Sequence, residues 1–139
     1  MRDIAGPGGW ACILRCAEGE RQFTGQAQQT TRHRMELTAT ITGLSALRRR
    51  CDVELINSPP HIQRGVLEDL TAWKANGWRH VNNKPVYDRD LWERLDELIH
   101  KHQITWRWAS VDQNRCRALA RSAALIAEEL VRLRANEFR

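Results

Sequence analysis

Hydrophobic and polar positions alternate over several short stretches of the chain. Residues 10–16 and 20–26 flank the turn Ala-Glu-Gly, and this pattern predicts an antiparallel hairpin. Residues 52–57 have the composition of a short buried strand, and residues 103–109 alternate well enough to form another. The pattern therefore predicts four strands.

Helical spacing follows the hairpin. Residues 34–50 place their apolar side chains near one helical face: Met35, Leu37, Ile41, Leu44 and Leu47. The helix is expected to close on the run Arg48, Arg49 and Arg50, where the helix dipole favours cations. A further helix is expected over residues 62–75.

Two more helices are expected in the second half of the chain. Asp88 or Asp90 can cap a helix over residues 91–102. From about residue 113 to the end, apolar positions mark one face of a long helix: Cys116, Leu119, Ala120, Ala123, Ile126, Ala127, Leu130 and Leu133. The resulting order β-β-α-β-α-α-β-α predicts a mixed α/β fold, in which helices pack on a mixed sheet.

The length and composition of the chain indicate its number of domains and its cellular location. The 139 residues suit one domain of ordinary size, and no repeat or linker divides them. No apolar run approaches the ~20 residues of a membrane span, and the first ten residues lack the apolar core of a signal peptide. These features favour a single-domain cytoplasmic protein.

Charge and cysteine content narrow the kinds of partner. The formal net charge is +5 and almost all of the positive charge is arginine, which makes nucleic acid the leading candidate partner. The alternative is a basic but inert surface. Four cysteines lie far apart without a C-x-x-C pair, so neither a zinc site nor a disulfide framework is indicated. The cysteines are expected to be reduced core residues.

The junction Asn-Ser-Pro-Pro, residues 57–60, follows the predicted third strand. The carboxyl end of a strand in such a sheet is a preferred place for chemistry, yet this junction offers only a serine and two prolines.

Four stretches together resemble bacterial type 1 ribonuclease H: GPGGWACILR, TTRHRMELTATITGLSAL, GWRHVNNKPVYDRDLWERLDELIHKHQITWRW and NRCRALARSAA. They run in the family's order from residue 6 to about residue 124, which leaves residues 125–139 as a C-terminal helical extension. The resemblance implies an RNase H-like fold, a five-stranded mixed sheet with helices on its faces. It also implies Mg²⁺-dependent cleavage of the RNA strand of RNA/DNA hybrids.

The resemblance also locates the family's four carboxylates and its loop histidine. Glu36 matches the glutamate, but Ser58 and Arg117 stand where two aspartates are expected. Asp3 is the acid nearest to the first aspartate, and residues 109–113 contain no histidine. One carboxylate cannot hold two divalent ions. The chain is therefore expected to be catalytically inactive and to need no cofactor, since Mg²⁺ would serve only an active enzyme.

Nucleic-acid binding can outlast catalysis. The family's basic protrusion corresponds to the segment that carries Trp73, Lys74, Trp78, Arg79 and Lys84. A family phosphate-contacting turn corresponds to Thr31, Arg32 and His33, where arginine and histidine replace asparagines. Aromatic residues between cations suit sugar stacking and phosphate contact. Against this, at least three of the five tryptophans at positions 73, 78, 92, 106 and 108 are expected to be buried structure.

The family's first strand is central in its sheet, and a chain that begins at Met1 leaves that position empty. Direct closure of the flanking strands, a strand from a second subunit, or a strand from a partner protein would repair the gap. A homodimer is favoured, and its surface is expected on the C-terminal helix: Leu125, Leu130, Leu133 and Phe138. Alternatively, that helix only packs on its own sheet.

Three functional hypotheses result from this sequence. The first is an inactive RNase H-like protein that keeps nucleic-acid binding, either to RNA/DNA hybrids or nonspecifically. The second is a protein-interaction or assembly module without nucleic-acid binding. The third is an active nuclease that uses unconventional ligands such as Glu36, Asp3 and Asp112.

Overall fold

Five strands join in one sheet. The computed structural model describes residues 6–16, 19–56, 58–107 and 129–137. The strands are β1 (Gly6–Cys16), β2 (Gly19–Thr30), β3 (Cys51–Ile56), β4 (Gln103–Arg107) and β5 (Glu129–Glu137). They lie in the order β2-β1-β5-β3-β4. The prediction of a mixed α/β fold is confirmed.

The described residues form four α-helices, of which the first two begin at a side-chain cap or a proline and the other two have no side-chain capping hydrogen bond. They are α1 (Arg32–Ser45), α2 (Pro60–Arg64), α3 (Leu70–Ala75) and α4 (Arg89–Lys101). The Thr31 side chain accepts a hydrogen bond from the Arg34 amide at 3.2 Å and so caps α1. Pro60 occupies the first turn of α2, where its missing N–H leaves no bond unmade.

Two of the predicted helices differ from the prediction in their course. Helix α1 ends at Ser45, so the arginines at positions 48–50 lie beyond it in the connection to β3. Between α2 and α3 the backbone forms a π-helical turn, Gly65–Asp69. Gly65 faces the Trp92 ring there, and an added Cβ would overlap the ring. The absence of a side chain therefore lets α4 pack close to this turn.

The hairpin prediction is confirmed. Strands β1 and β2 pair antiparallel, with Cys12 opposite Phe23. Both faces of β1 are buried from Trp10 to Leu14. Cys12 and Cys51 are both buried, and burial raises the pKa of Cys12 to about 12, so the Cys12 thiol stays protonated.

The centre of the sheet contradicts the prediction of a helix that continues to the end of the chain. Residues 129–137 form β5, which runs parallel to β1 and antiparallel to β3. Residues 108–128, which carry the rest of that predicted helix, lie outside the described residues. The position that was expected to be empty is thus occupied by this chain itself, a solution that none of the three expected repairs included.

A period of two in the sequence explains why this segment fits the sheet. Val131, Leu133 and Ala135 alternate with polar neighbours. The register sets Leu133 between Leu14 of β1 and Leu55 of β3. A central strand also pairs the backbone groups of both neighbours, which a helix cannot do. Leu130 and Leu133, two positions of the expected helical dimer surface, are therefore strand positions within the sheet.

Helices α1 and α4 contact each other, and their buried residues form one core with one face of the sheet. The fully buried side chains of this core include Leu14, Leu37, Leu44, Val53, Leu55, Ile62 and Leu95. At the rim, Arg34 of α1 donates to Asp88 at 3.1 Å and to Asp90 at 2.8 Å. This guanidinium lowers the pKa of the Asp90 carboxyl. Within the described residues, no helix is long and apolar enough to cross a membrane.

Candidate functional site

Glu36 lies one turn into α1 and is buried, with 5% of its surface exposed. Its Oε2 atom lies 2.6 Å from Nδ1 of His61, near the start of α2. This separation is that of a close polar contact, although Oε2 finds no aligned hydrogen-bond donor among the described residues. The one acid that the sequence assigned to catalysis is thus held against a histidine.

His61 is enclosed by two other rings. The His33 ring stacks on it with centroids 3.9 Å apart, and the Trp92 ring meets it edge-on at 6.1 Å. Its Nε2 atom is buried and makes no hydrogen bond within the described structure. A catalytic base must reach the proton that it removes, and this nitrogen has no solvent-facing surface. The contact between Glu36 and His61 therefore joins α1 to α2 and does not present a base.

No motif in the sequence marks His61 as a functional residue. The histidine stands three residues after Ser58, in the segment that follows β3, and this position was the only available signal. Its contact with Glu36 requires α1 and α2 to lie side by side, which the spacing along the chain does not disclose.

The basic loop, residues 77–86, is the second part of the site. The Trp78 amide donates to the Trp73 carbonyl at 2.7 Å, and the Val86 amide donates back to the Trp78 carbonyl at 3.1 Å. Inside the loop, the His80 amide donates to the Lys84 carbonyl at 2.8 Å. Trp78 has a left-handed backbone with φ of 62°. These bonds order the loop before any ligand binds.

The cations assigned to nucleic-acid binding fall into two groups. Arg79 and Lys84 are exposed on the basic loop, and the Arg79 guanidinium donates to the Asn83 carbonyl at 3.0 Å. Lys74 instead pairs with Asp96 of α4 at 3.0 Å. Its charge is therefore partly neutralised, although the sequence placed it with the other two.

The tryptophans in this segment pack on the core and leave part of their surface free. Trp73 and Trp78 are half-buried, as is Trp106 of β4, while Trp92 is fully buried. Trp73 contacts Trp92 at 5.3 Å and Trp78 at 6.5 Å between ring centroids. A chain of rings therefore connects His61, through Trp92 and Trp73, to the basic loop. Trp108 lies outside the described residues.

The turn at the start of α1 holds the remaining predicted binding residues. Thr31 is buried, and its hydroxyl oxygen caps the helix. Arg32 is exposed, and His33 is half-buried on His61. Of these three residues, Arg32 presents the most accessible cation to a phosphate.

Similarity to known proteins identifies the group to which this chain belongs. The family model for RNase H matches residues 2–122. This chain belongs to the RNase H family. A ribonuclease H of Solibacter usitatus is 44% identical over 124 residues, which cover 86% of this chain and 85% of that protein. One of Halorhodospira halophila is 50% identical over 107 residues, which cover 77% and 72%.

Solved structures share the RNase H fold at low identity. A foamy viral protease-reverse transcriptase in complex with dsDNA matches with a TM-score of 0.61 and 14% identity, covering 89% of this chain and 96% of that chain. A type 1 RNase H with the type 2 active-site motif matches with a TM-score of 0.58 and 18% identity, covering 91% and 71%. These likenesses support the fold alone.

The two Mg²⁺ ions that RNase H membership implies do not fit the residues at this site. Ser58 is buried just after β3 and supplies a hydroxyl in place of a carboxylate. Across residues 6–16, 19–56 and 58–107, no three His, Cys, Asp or Glu side chains converge to hold a metal ion. Asp3, Asp112 and Arg117 lie outside the described residues. Among the described residues matched to the family's carboxylates, only Glu36 is an acid, and its Oε2 atom already touches an imidazole.

Proposed function

We propose that this RNase H-family chain binds nucleic acid, an RNA/DNA hybrid or another duplex, without cleaving it. The contact between Glu36 and His61 carries the proposal. Two-metal hydrolysis needs several carboxylates aimed at one point, whereas this carboxylate is paired inside the protein. Ser58 supports the same conclusion, because its hydroxyl cannot replace the charge of an aspartate.

The exposed cations support the binding half of the proposal. Arg32, Arg79 and Lys84 are all exposed, and the chain carries a net charge of +5. Half-buried Trp73 and Trp78 lie beside the loop cations, and the Arg89 guanidinium over the Trp78 ring, at 5.6 Å from its centroid, adds another positive charge there. Among the proteins of similar fold, the foamy viral protease-reverse transcriptase has been solved with dsDNA and with an RNA/DNA hybrid.

The structure removes the main reason for expecting a protein-interaction or assembly module. A homodimer or a partner protein was expected to fill an open gap in the sheet, and β5 now occupies that position. A dimer would need another surface. Sedimentation velocity at two protein concentrations tests it directly, and a mass that stays at 16 kDa would reject it.

The test of the proposed function is incubation with an end-labelled RNA/DNA hybrid in Mg²⁺ or Mn²⁺, followed on paired native and denaturing gels. We expect a shifted band and intact RNA, with a shift that weakens steeply as salt increases. The Glu36→Gln variant is the control for contaminating nuclease. Cleavage by the wild-type protein that this substitution abolishes would show an active enzyme, and the absence of a shift at low salt would reject the binding proposal.

A further inference from the structure

We propose that the His61 imidazole, which lies against Oε2 of Glu36, keeps divalent ions from this carboxylate, and that the protein binds nucleic acid independently of divalent metal. The statement about nucleic acid rests on the proposed function, whereas the statement about the metal does not. The imidazole acts as an internal partner for an acid that the family exposes to ions.

One oxygen of the Glu36 carboxylate already lies against the His61 ring. A carboxylate binds Mg²⁺ at 2.0–2.1 Å through an oxygen that must face the ion and its waters. Oε2 of Glu36 has His61 Nδ1 at 2.6 Å and is buried in the described structure. An ion at this oxygen would have to displace the imidazole.

The imidazole is held in place from several sides. The His33 ring lies nearly parallel to it, at an interplanar angle of 16°, and Trp92 meets it at 87°. The backbone under it is fixed as well, since the Ile62 amide donates to the Pro59 carbonyl at 3.0 Å. A rotation of His61 away from Glu36 would break the ring stack and the edge contact together.

The described part of the chain also places no second acid at the position matched to the family's aspartate. The position matched to the family's aspartate after β3 is Ser58, and no metal-binding group of three side chains occurs among the described residues. Removal of His61 alone should therefore free one carboxylate without creating a site. A second acid and the loss of the imidazole are both needed.

The test is a Mn²⁺ titration of the protein without nucleic acid, followed by the EPR signal of the free ion. Four proteins are compared: wild type, Ser58→Asp, His61→Ala, and the double variant. We expect Mn²⁺ binding in the double variant, at least tenfold weaker binding in Ser58→Asp, and none in the other two proteins. Equal binding by Ser58→Asp and the double variant would show that His61 does not block the site, and binding by wild type would overturn the proposal outright.

A control and a second measurement cover variants that fold poorly. Ser58→Asp with His100→Ala removes an exposed histidine of α4 and keeps the imidazole at Glu36, so it should bind no better than Ser58→Asp alone. In the wild-type protein, the NMR resonances of the His61 ring should move in Glu36→Gln and stay unmoved on addition of Mg²⁺. A Mg²⁺-dependent shift of the same size as that caused by Glu36→Gln would contradict the proposal without any variant at position 58.

The consequence for nucleic acid is measured separately. The affinity for a labelled hybrid in EDTA should lie within about twofold of that in Mg²⁺ when total ionic strength is matched. A tenfold loss in EDTA would mean that an ion takes part in binding. If no hybrid binds under either condition, the proposed function fails, while the Mn²⁺ titration still decides whether His61 closes the metal position.

Discussion

The surroundings of Glu36 and the basic loop lie at opposite ends of one chain of rings, yet they hold charge in opposite ways. The carboxylate is buried against His61 inside the protein. The Lys84 ammonium stands on a loop whose backbone is already ordered by its own hydrogen bonds. The Glu36 carboxylate faces the protein interior, whereas the Lys84 side chain is exposed to solvent. Under the proposed function, binding a nucleic acid and cleaving it would depend on different parts of the fold.

Both regions rest on the same sheet, so removal of its central strand should disrupt them together. A chain that stops at residue 128 lacks β5, so β1 and β3 lose their shared neighbour and their backbone groups lose partners. We expect loss of cooperative unfolding and of nucleic-acid binding together, measured by circular dichroism melts and gel shifts. A chain that stops at residue 137 is the control and should melt like the full chain. A cooperative melt of the shorter chain would show that β5 is dispensable.

A smaller disturbance tests the joint between the two regions. Gly65→Ala would place a methyl group in the Trp92 ring, which contacts both His61 and Trp73. We expect a loss of about 1–3 kcal/mol in the free energy of unfolding, measured by urea denaturation. Gly6→Ala, where the added Cβ has open space, is the matched control. Equal midpoints for the two variants would mean that Trp92 moves without cost.

Lys84 is exposed on the basic loop, whereas Lys74 pairs with an acid of α4, so the two lysines can be compared directly. Lys84→Ala should weaken hybrid binding and lower the salt slope of log K by about 1, because one phosphate contact is lost. Lys74→Ala should change that slope much less, since its ammonium pairs with Asp96. Fluorescence anisotropy over a range of salt concentrations measures both variants. A larger change for Lys74 would reverse our assignment.

A change of pH should alter the stability of the whole protein slightly, without a different effect on the two regions. Burial, and then the charge of Lys101, lowers the pKa of His102, whose Nδ1 accepts a hydrogen bond from the Cys51 amide at 3.0 Å. The unfolded chain therefore takes up the proton first as pH falls. Stability should be complete above the ordinary value of 6.5 and should decrease from there towards the lowered pKa.

Urea midpoints between pH 8 and pH 5 measure this decrease. His102→Gln should remove that part of the pH dependence, whereas His100→Ala, at an exposed position, should keep it. A pH dependence that persists in His102→Gln would assign it to another group.

Patterns that involve neighbouring residues were readable from the sequence. The hairpin was predicted because residues 10–16 and 20–26 alternate around a short turn, and α1 because its apolar positions repeat at helical spacing. The segment that became β5 contains both signals. Leu130 and Leu133 are three apart, as in a helix, but residues 131–136 alternate strictly. The open edges of β1 and β3 favour a strand over a helix at this position. No local sequence pattern contains information about those edges.

The site was readable only in part for the same reason. Glu36, Ser58 and the basic loop followed from resemblance, because each belongs to a matched stretch of sequence. The partners of these residues did not follow. His61 meets Glu36 across two helices, and Asp96 meets Lys74 across another pair, so both contacts arise only when the helices pack. The resemblance indicated which positions belong to the site. The packing of the helices determines which of those side chains already have a partner inside the protein.

The placement of β5 also determines the order in which this protein can mature on the ribosome. Strand β3 ends at Ile56 and β5 begins at Glu129. At about 5–20 residues per second, several seconds of translation separate the two. During that interval the hairpin and β3 wait with open edges, which are the surfaces that chaperones cover and that aggregation exploits. The strand at the middle of the sheet is the latest of the five to be made, so the nascent chain stays vulnerable until that strand emerges.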